Sequence, residues 1–367
     1  MSLTRATVLI FSFVSILLCG ASPIKQKSDG SIILHNEKIN FIPHEFYIAD
    51  IADERNDRSA VASLIENNLD HSQVAKRVDL KDGAIVSIKN FISQNLHRDT
   101  LLRPVIVTLK EFKLNESNLP DGRISGRLDI IFSFALQKSY GTVHLVDYTG
   151  GTRYERPGNQ PADAEAILRQ GIERALSYFN TWINNNVGSS VLLARKVKVN
   201  FTDYTEKPEG DTIYYSANRP LTWNDFQDKP RDGRFEAEVF TTIGYIERNK
   251  VAKGIIYVDI AIKVDVAKSD CWVRGGGRDN YVLNHEQRHF DIEKIVSEHF
   301  KQKILAMELP VDNFDGPINV EYLETLREAT RMQKQYDTET GHGQDRPAQE
   351  QWNEKIDKEL KVLGIRK

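Results

Sequence analysis

The second half of the chain contains a change of hydrophobic period from two residues to about 3.6. Residues 255–266 carry Ile or Val at nearly every second position, which is typical of a β-strand. After Gly275–Gly277, an apolar stripe predicts a long helix over 279–309, which Pro310 would end. A strand followed directly by a long amphipathic helix indicates an α+β fold class.

The first half of the chain also mixes both kinds of pattern. Alternating residues over 128–136 predict a strand, flanked by strand candidates at 104–112 and 140–148 that end near Gly150 and Gly151. Helical spacing predicts helices over the following segments: 59–77, 82–98 and 163–183. This half therefore predicts an α+β module of its own.

A polar stretch over 204–218, with Pro208 and Gly210, predicts the domain boundary. The expected organisation is a module at 22–205 and a second domain at 206–367. In the second domain a strand at 237–246 would turn at Asn249 and Lys250 into the strand at 255–266, and two last helices are expected, at 319–337 and 347–362.

Residues 1–21 have the pattern of an export signal, because Arg5 precedes a short apolar run that small residues follow. Cleavage after Ala21 would release a soluble exported protein, and lipid anchoring at Cys19 is the alternative. No later segment is apolar for 18 residues, so no transmembrane span is expected in the mature chain. A formal net charge of -3 gives no general attraction for nucleic acid, and no nucleic-acid partner is expected.

His285, Glu286 and His289 form an H-E-x-x-H motif near the start of the predicted long helix. Residues four apart lie on one helix face, so both imidazoles can reach one Zn²⁺ ion. Glu286 lies about 100° around the helix from His285, where its carboxylate can reach a zinc-bound water without binding the metal. The motif therefore predicts hydrolysis in which Glu286 takes the proton of that water and returns it to the leaving amine.

The motif leaves the third metal ligand open. His342 follows a predicted helix and Gly341, and a turn there would bring its imidazole back toward the long helix. A carboxylate from the helix predicted over 319–337 is the alternative, from one of three residues: Glu321, Glu324 or Glu328. Glu293 shares the face of the two histidines but lies one turn further along, which favours either a solvated position or a role beside the ligands. His299 is expected on the helix surface.

Four blocks of the second half carry a resemblance to a known family. They are Arg219–Phe226, Ser269–Val273, His285–Ile292 and Tyr336–Gly343, the last followed by Gln351 and Trp352. These blocks resemble those of a predicted secreted zinc-dependent protease family of bacteria over about residues 213–362. The resemblance implies a small zincin-like metallopeptidase domain and favours His342 as the third ligand.

Tyr336 has two interpretations within these blocks. Its hydroxyl is a candidate donor to the oxyanion of a tetrahedral intermediate, and core packing is the alternative. The sequence as a whole predicts a secreted or periplasmic zinc metallopeptidase that acts on polypeptides. Two alternatives stay open: a non-catalytic envelope binding protein with a structural or vestigial metal site, and a hydrolase that uses the same zinc chemistry on a non-peptide substrate.

Overall fold

In a computed structural model of the chain, residues 30–67, 73–231 and 235–366 are described. The chain divides into two compact units, Met1–Val187 and Gly188–Lys367. Both units combine helices with sheets, which confirms the α+β class. The predicted export signal, including Cys19, lies outside the described residues. Within the described parts, no helix is both long enough and apolar enough to cross a membrane.

The first unit is a six-stranded sheet with two helices. Its elements in chain order are β1 (Phe46–Asp53), β2 (Ala62–Asn67), β3 (Gln73–Val78), α1 (Ala84–Asn95), β4 (Arg103–Asn118), β5 (Arg123–Lys138), β6 (Gly141–Pro157) and α2 (Ala164–Asn186). The strands run in the order β3-β2-β4-β5-β6, and β1 also pairs with β4. On α2, the ring of Phe179 stacks on Phe134 and meets Phe46 edge-on, so the core lies between this helix and the sheet.

Two predictions for the first unit are wrong. The helix expected over 59–77 is replaced by β2 and β3, because pairing with each other and with β4 overrides the weak helix preference of this segment. The strand expected to end near Gly150 continues through Gly151 to Pro157. A Cβ at Gly151 would lie 2.2 Å from the carbonyl oxygen of Leu128, so glycine here permits close pairing of β5 and β6.

The second unit combines a mixed sheet with three helices, of which α3 packs on the sheet and α5 packs on the other two helices. Its elements are β7 (Lys196–Asp203), β8 (Thr212–Tyr214), β9 (Ala237–Glu238), β10 (Thr241–Ala252), β11 (Ile255–Ala267), β12 (Trp272–Val273), α3 (Asn280–Ala306), α4 (Asp315–Thr340) and α5 (Arg346–Val362). The main sheet has the order β10-β11-β7, with β8 on β11. The predicted long helix is therefore present as α3, and the predicted strand at 255–266 as β11.

The boundary between the units differs from the predicted one. The second unit begins at Gly188, not at 206, because β7 pairs in parallel with β11 over residues 196–203. The predicted turn at Asn249 and Lys250 is also wrong. The β10-β11 hairpin turns at Lys253 and Gly254, whose φ angles of 52° and 71° suit a tight hairpin turn.

Helix α3 is buried on two sides, which fixes the direction of its remaining face. Phe290, Phe300 and Ile304 pack into the core shared with the sheet. Ile292, Ile295 and Val296 pack into a second core shared with α4 and α5. Asp279 caps the helix, since its carboxylate accepts a hydrogen bond from Val282 N at 2.8 Å. The H-E-x-x-H motif follows within two turns of this cap.

Candidate metal centre

His285 and His289 lie side by side on α3 and direct their Nε2 atoms toward the same point. The two Nε2 atoms are 3.3 Å apart. This follows from helix geometry, because residues four apart project from one face. The side chain of His285 is 8% exposed and that of His289 is 14% exposed, so both imidazoles are largely removed from water.

Asp337, near the C-terminal end of α4, brings a carboxylate to the same point. Its Oδ1 atom lies 3.4 Å from His285 Nε2 and 3.2 Å from His289 Nε2. Within the described parts of the chain, His285, His289 and Asp337 form the single group of three potential donor residues with all donor atoms within 4.8 Å of one another. The three atoms thus form a nearly equilateral triangle.

The dimensions of this triangle fit a small tetrahedral cation. Zinc binds nitrogen and oxygen donors at roughly 2.0–2.1 Å, which places tetrahedral donors about 3.3 Å apart. Asp337 Oδ1 is buried and makes no hydrogen bond in the structure, although two imidazoles lie beside it. An unsatisfied buried carboxylate oxygen is costly, and a cation at the centre of the triangle would satisfy it.

Gln333 on α4 fixes the protonation of the His289 ring. The amide nitrogen of Gln333 donates to the carbonyl oxygen of His289 at 2.9 Å, and a carbonyl oxygen only accepts hydrogen bonds. The amide oxygen therefore faces His289 Nδ1, at 2.6 Å. Nδ1 must carry the proton of this bond, so in the neutral imidazole the lone pair is on Nε2, at the triangle.

A longer chain of hydrogen bonds does the same for His285. The Nε atom of Arg288, which can only donate, binds Asn353 Oδ1 at 3.0 Å. That oxygen also accepts from Gln349 Nε2 at 3.1 Å, which leaves the Gln349 amide oxygen 2.9 Å from His285 Nδ1. Both histidines thus present Nε2 as the available donor atom toward the triangle.

The charges around the triangle favour a bound cation. Although burial opposes ionisation, the neighbouring His285 and His289 imidazoles hold the pKa of the Asp337 carboxyl well below its usual range. Burial also disfavours the charged form of His289, but the carboxylates of Asp337 and Glu286 outweigh it and raise the pKa of the imidazole. The Asp337 carboxylate therefore stays ionised beside the two Nε2 atoms, and the same surroundings that favour a proton on His289 favour a metal cation at this point.

Glu286 is buried beside the triangle without belonging to it. Its Oε2 atom accepts a hydrogen bond from Val239 N at 2.9 Å, and only 4% of the residue is exposed. Burial is the main cause that raises the pKa of its carboxyl. A carboxylate with a raised pKa beside a potential metal centre suits the uptake and release of a proton.

These groups line a cavity of about 970 Å³ in the second unit. The segment Phe235–Ile243 forms one wall, and residues of α3 and α4 form the others. His285, Glu286, His289 and Asp337 are among the lining residues, so all four are accessible to a molecule in the cavity. A cavity of this size accommodates several residues of a peptide or a small organic ligand.

His342 also lines the cavity, but it lies outside the triangle. Its Nδ1 atom is 3.5 Å from Asp337 Oδ1, and its ring packs on Phe235 with centroids 4.6 Å apart. In the part of the chain that the structure describes, the compact donor group contains Asp337 and not His342. Gly341 and His342 both have positive φ angles, and the turn stays in contact with α3, where Tyr281 donates a hydrogen bond to the carbonyl oxygen of Gly343 at 2.7 Å.

The other candidate ligands have different partners. Glu321 and Glu328 pair with Lys303, Glu324 pairs with Arg327, and none of the three glutamates lines the cavity. His299, expected on the helix surface, is largely covered and lies between the carboxylates of Glu328 and Glu359. The pairs of Lys303 and His299 join α3 to α4 and α5, whereas the Glu324 pair lies within α4.

Tyr336 is fully buried, and it does not line the cavity. Its hydroxyl donates to the His285 carbonyl oxygen at 3.2 Å and accepts from Gln349 at 2.6 Å. Its ring stacks on His285 and meets His289 edge-on. This placement corrects the interpretation of Tyr336 as an oxyanion donor, because the hydroxyl already has partners in the core and the ring holds both imidazoles in position.

Sequence reasoning missed Asp337, Gln333 and Gln349. A signal for two of them exists, since Gln333 and Asp337 are four residues apart and share a face of α4 as the two histidines share a face of α3. Comparison of the chain with protein-family models, with curated proteins and with solved structures finds no match. The resemblance to a bacterial zinc-dependent protease family therefore stays a prediction.

Proposed function

We propose that this protein is a zinc-dependent metallopeptidase with a zincin-like domain in its second unit. The observation that carries the proposal is the triangle of two imidazole nitrogens and one carboxylate oxygen, with sides of 3.2–3.4 Å, on the wall of a cavity. We assign His285, His289 and Asp337 as the metal ligands and Glu286 as the general base. Export from the cell is proposed from residues 1–21 alone.

Three protein donors beside a cavity support a catalytic site more than a structural one. Structural zinc sites are closed by four protein ligands, whereas catalytic sites keep one position open. Here Glu286, a further carboxylate at the same wall, is held by Val239 N and does not belong to the triangle. This arrangement favours hydrolysis over the alternative of a binding protein with a structural metal.

Each residue of the proposed site would have a distinct role in peptide hydrolysis. A zinc ion bound by the three donors would supply Lewis acidity to a substrate carbonyl and lower the pKa of water. Glu286 would take the proton of the attacking water on its carboxylate and deliver it to the amine that leaves. Gln333, Gln349 and Tyr336 would keep both imidazoles oriented, and the largely buried site would strengthen the interaction between these charges.

The metal content of purified protein tests the ligand assignment. We expect about one zinc per chain by elemental mass spectrometry, and loss of that zinc in His289→Ala and Asp337→Asn, since a neutral amide is a poor substitute for the carboxylate. His342→Ala should keep the metal, as should the control His44→Ala in the first unit. Zinc loss in His342→Ala with retention in Asp337→Asn would restore His342 as the third ligand. Absence of zinc from the native chain after incubation with the ion would overturn the proposal.

A further inference from the structure

Glu293 is a buried carboxylate that the proposed reaction does not use. It lies on α3 one turn beyond His289, and 6% of the residue is exposed. Its Oε1 atom accepts hydrogen bonds from Thr241 Oγ1 and Gln333 Nε2, both at 3.3 Å. Its Oε2 atom is buried and has no hydrogen-bond partner. A buried carboxylate oxygen without a partner is costly, and a donor from outside the chain would satisfy it.

The Glu293 carboxylate belongs to the wall of the same cavity as the candidate metal centre. On the strand side, Ile243 lies two residues after Thr241 and shares its face of β10. On the helix side, Leu326 and Ala329 precede Gln333 on one face of α4 and also line the cavity. The cavity wall that contains Glu293 thus combines polar and apolar side chains, with one carboxylate oxygen unsatisfied.

This combination matches the chemistry of a long basic side chain. Lysine and arginine have apolar stems that pack against hydrophobic surface, and a cationic end that binds a carboxylate. A carboxylate that lies one helical turn from His289 is roughly 6 Å further along the axis of α3. A residue next to the hydrolysed bond can span this distance with its side chain.

The charge of the cavity favours a cationic ligand as well. Its wall includes the following acidic residues: Glu236, Glu238, Glu286, Glu293 and Asp337. No lysine or arginine occurs among the described residues that line it. Even with one divalent cation at the triangle, negative charge remains on the wall, and such a cavity attracts positively charged molecules.

We propose that Glu293 determines specificity by binding the ammonium or guanidinium group of a lysine or arginine side chain next to the hydrolysed bond. This inference rests on the proposed function in so far as the cavity binds a polypeptide. The competing explanation is that Glu293 only positions Gln333, which in turn holds His289. The two explanations differ in one observable, because a positioning role gives no preference between a charged and a neutral side chain of equal shape.

The test is a binding comparison between two peptides that differ by one amine. Both are pentapeptides of alanine with blocked termini, and the central residue is lysine in one and norleucine in the other. Binding is measured by isothermal titration calorimetry to the full chain loaded with zinc, in a Glu286→Gln background so that the peptides stay intact. We expect the lysine peptide to bind at least about ten-fold more tightly, as one charge-assisted hydrogen bond in a buried site provides.

Substitution of Glu293 assigns the preference to this residue. In Glu293→Gln the ratio of the two affinities should fall below about two-fold, whereas Glu354→Gln, a matched change on the exposed side of α5, should leave it unchanged. Equal affinity of both peptides for protein with Glu293 intact, no binding of either peptide, or a preference that survives Glu293→Gln would each overturn the inference. The first two outcomes do not depend on whether the variant folds.

The same preparations separate this inference from the proposed function. Zinc content and peptide hydrolysis are measured on the native chain in parallel with the binding comparison. Hydrolysis without a preference for the lysine peptide would refute the role of Glu293 and leave the peptidase intact. A preference for lysine in protein that binds no zinc and hydrolyses nothing would refute the peptidase and retain a cation-binding pocket at Glu293.

Discussion

At the scale of single residues, the proposed metal centre depends on which imidazole nitrogen carries the proton. Gln333 and Gln349 decide this, and both amide orientations follow from partners that have a single role, a carbonyl oxygen in one case and a guanidinium in the other. A glutamine is neutral, so it orients the ring without adding charge to a site that already contains Asp337 and Glu286. The negative charge is thus concentrated on the cavity side of the two rings.

Glu286 provides the sharpest test of the proposed chemistry. Replacement by Gln keeps the shape of the side chain and its ability to accept a hydrogen bond from Val239 N, but an amide cannot take up a proton from water. We expect Glu286→Gln to keep its zinc and to lose peptide hydrolysis by about 10²- to 10⁴-fold, measured as kcat/KM on a fluorogenic peptide. Activity close to that of the native chain would contradict the role of Glu286 as general base.

The control for this variant is Glu354→Gln, the same change at an exposed position of α5. It should keep both the zinc and the rate of hydrolysis. Loss of zinc in Glu286→Gln would show instead that this carboxylate contributes to metal binding, and it would remove the distinction between ligand and base that the geometry supports.

The residues of the motif were predictable from the sequence, whereas Asp337, the proposed third ligand, was not predicted. His285, Glu286 and His289 are local, because helix periodicity alone places them on neighbouring faces of one helix. Asp337 reaches them only because α4 packs against α3, and the four-residue spacing of Gln333 and Asp337 does not by itself show which helix their shared face contacts. His342 is five residues further along and lies outside the triangle, so the sequence located the turn beside the site, and the geometry favours a different side chain as the third ligand.

At the scale of elements, prediction succeeded where one period extends over many residues. Helix α3 and strand β11 were both predicted, since 27 and 13 residues of uniform pattern leave little choice. The segment 59–77 failed because β2 and β3 are six residues each and are held by pairing with distant strands. Short strands have little periodic signal, and their residues suit a helix equally well.

We expect the packing of β10 against the start of α4 to depend on pH. Burial of Glu247, together with the nearby Asp315 carboxylate, raises the pKa of the Glu247 carboxyl to about 7. The folded chain therefore binds more protons than the unfolded chain between the ordinary pKa of 4.5 and this value. Ionisation of Glu247 therefore costs more free energy in the folded chain than in the unfolded chain. The stability that protonated Glu247 contributes is fully present below the ordinary pKa, and it is lost as the pH rises through the raised pKa.

Glu247→Gln should remove this pH dependence. Relative to the native chain, the variant should gain free energy of unfolding between pH 5 and pH 8, by on the order of 0.5 kcal/mol, a small value because the group is partly solvated. Urea unfolding at the two pH values measures the difference, and Glu354→Gln is again the control. A difference between variant and native chain that is the same at both pH values would contradict the assignment.

At the scale of the whole molecule, the proposed site belongs entirely to the second unit. The ligands, Glu286, the two orienting glutamines and the cavity wall all lie between Gly188 and Lys367. The unit also contains its own core, which includes the buried row of β11 residues. The sequence indicated two α+β regions, but it placed the boundary at 206 because the polar stretch after Tyr204 was more conspicuous than the pairing partner of β7.

Strand β7 determines where a stable fragment must begin. It adds a parallel strand to β11, and Asp203 at its end binds Lys294 Nζ at 2.8 Å and Lys301 Nζ at 2.6 Å. Lys294 is 4% exposed, so loss of Asp203 would leave a buried ammonium with Glu298 as its remaining partner. The Asp203 side chain is 46% exposed and Glu298 remains, so its loss costs less than the roughly 3–5 kcal/mol of a fully buried ion pair.

Two fragments separate the boundary seen in the structure from the one that the sequence suggests. We expect a fragment of residues 188–367 to fold cooperatively and to bind about one zinc per chain, because it keeps β7 and every residue of the proposed site. A fragment of residues 206–367 lacks β7 and Asp203, and its thermal midpoint should be lower by more than about 10 °C, if it folds at all. Circular dichroism and elemental analysis of both fragments provide the comparison. Equal stability of the two would show that β7 does not belong to the folding unit, and an unfolded 188–367 fragment would show that the second unit requires the first.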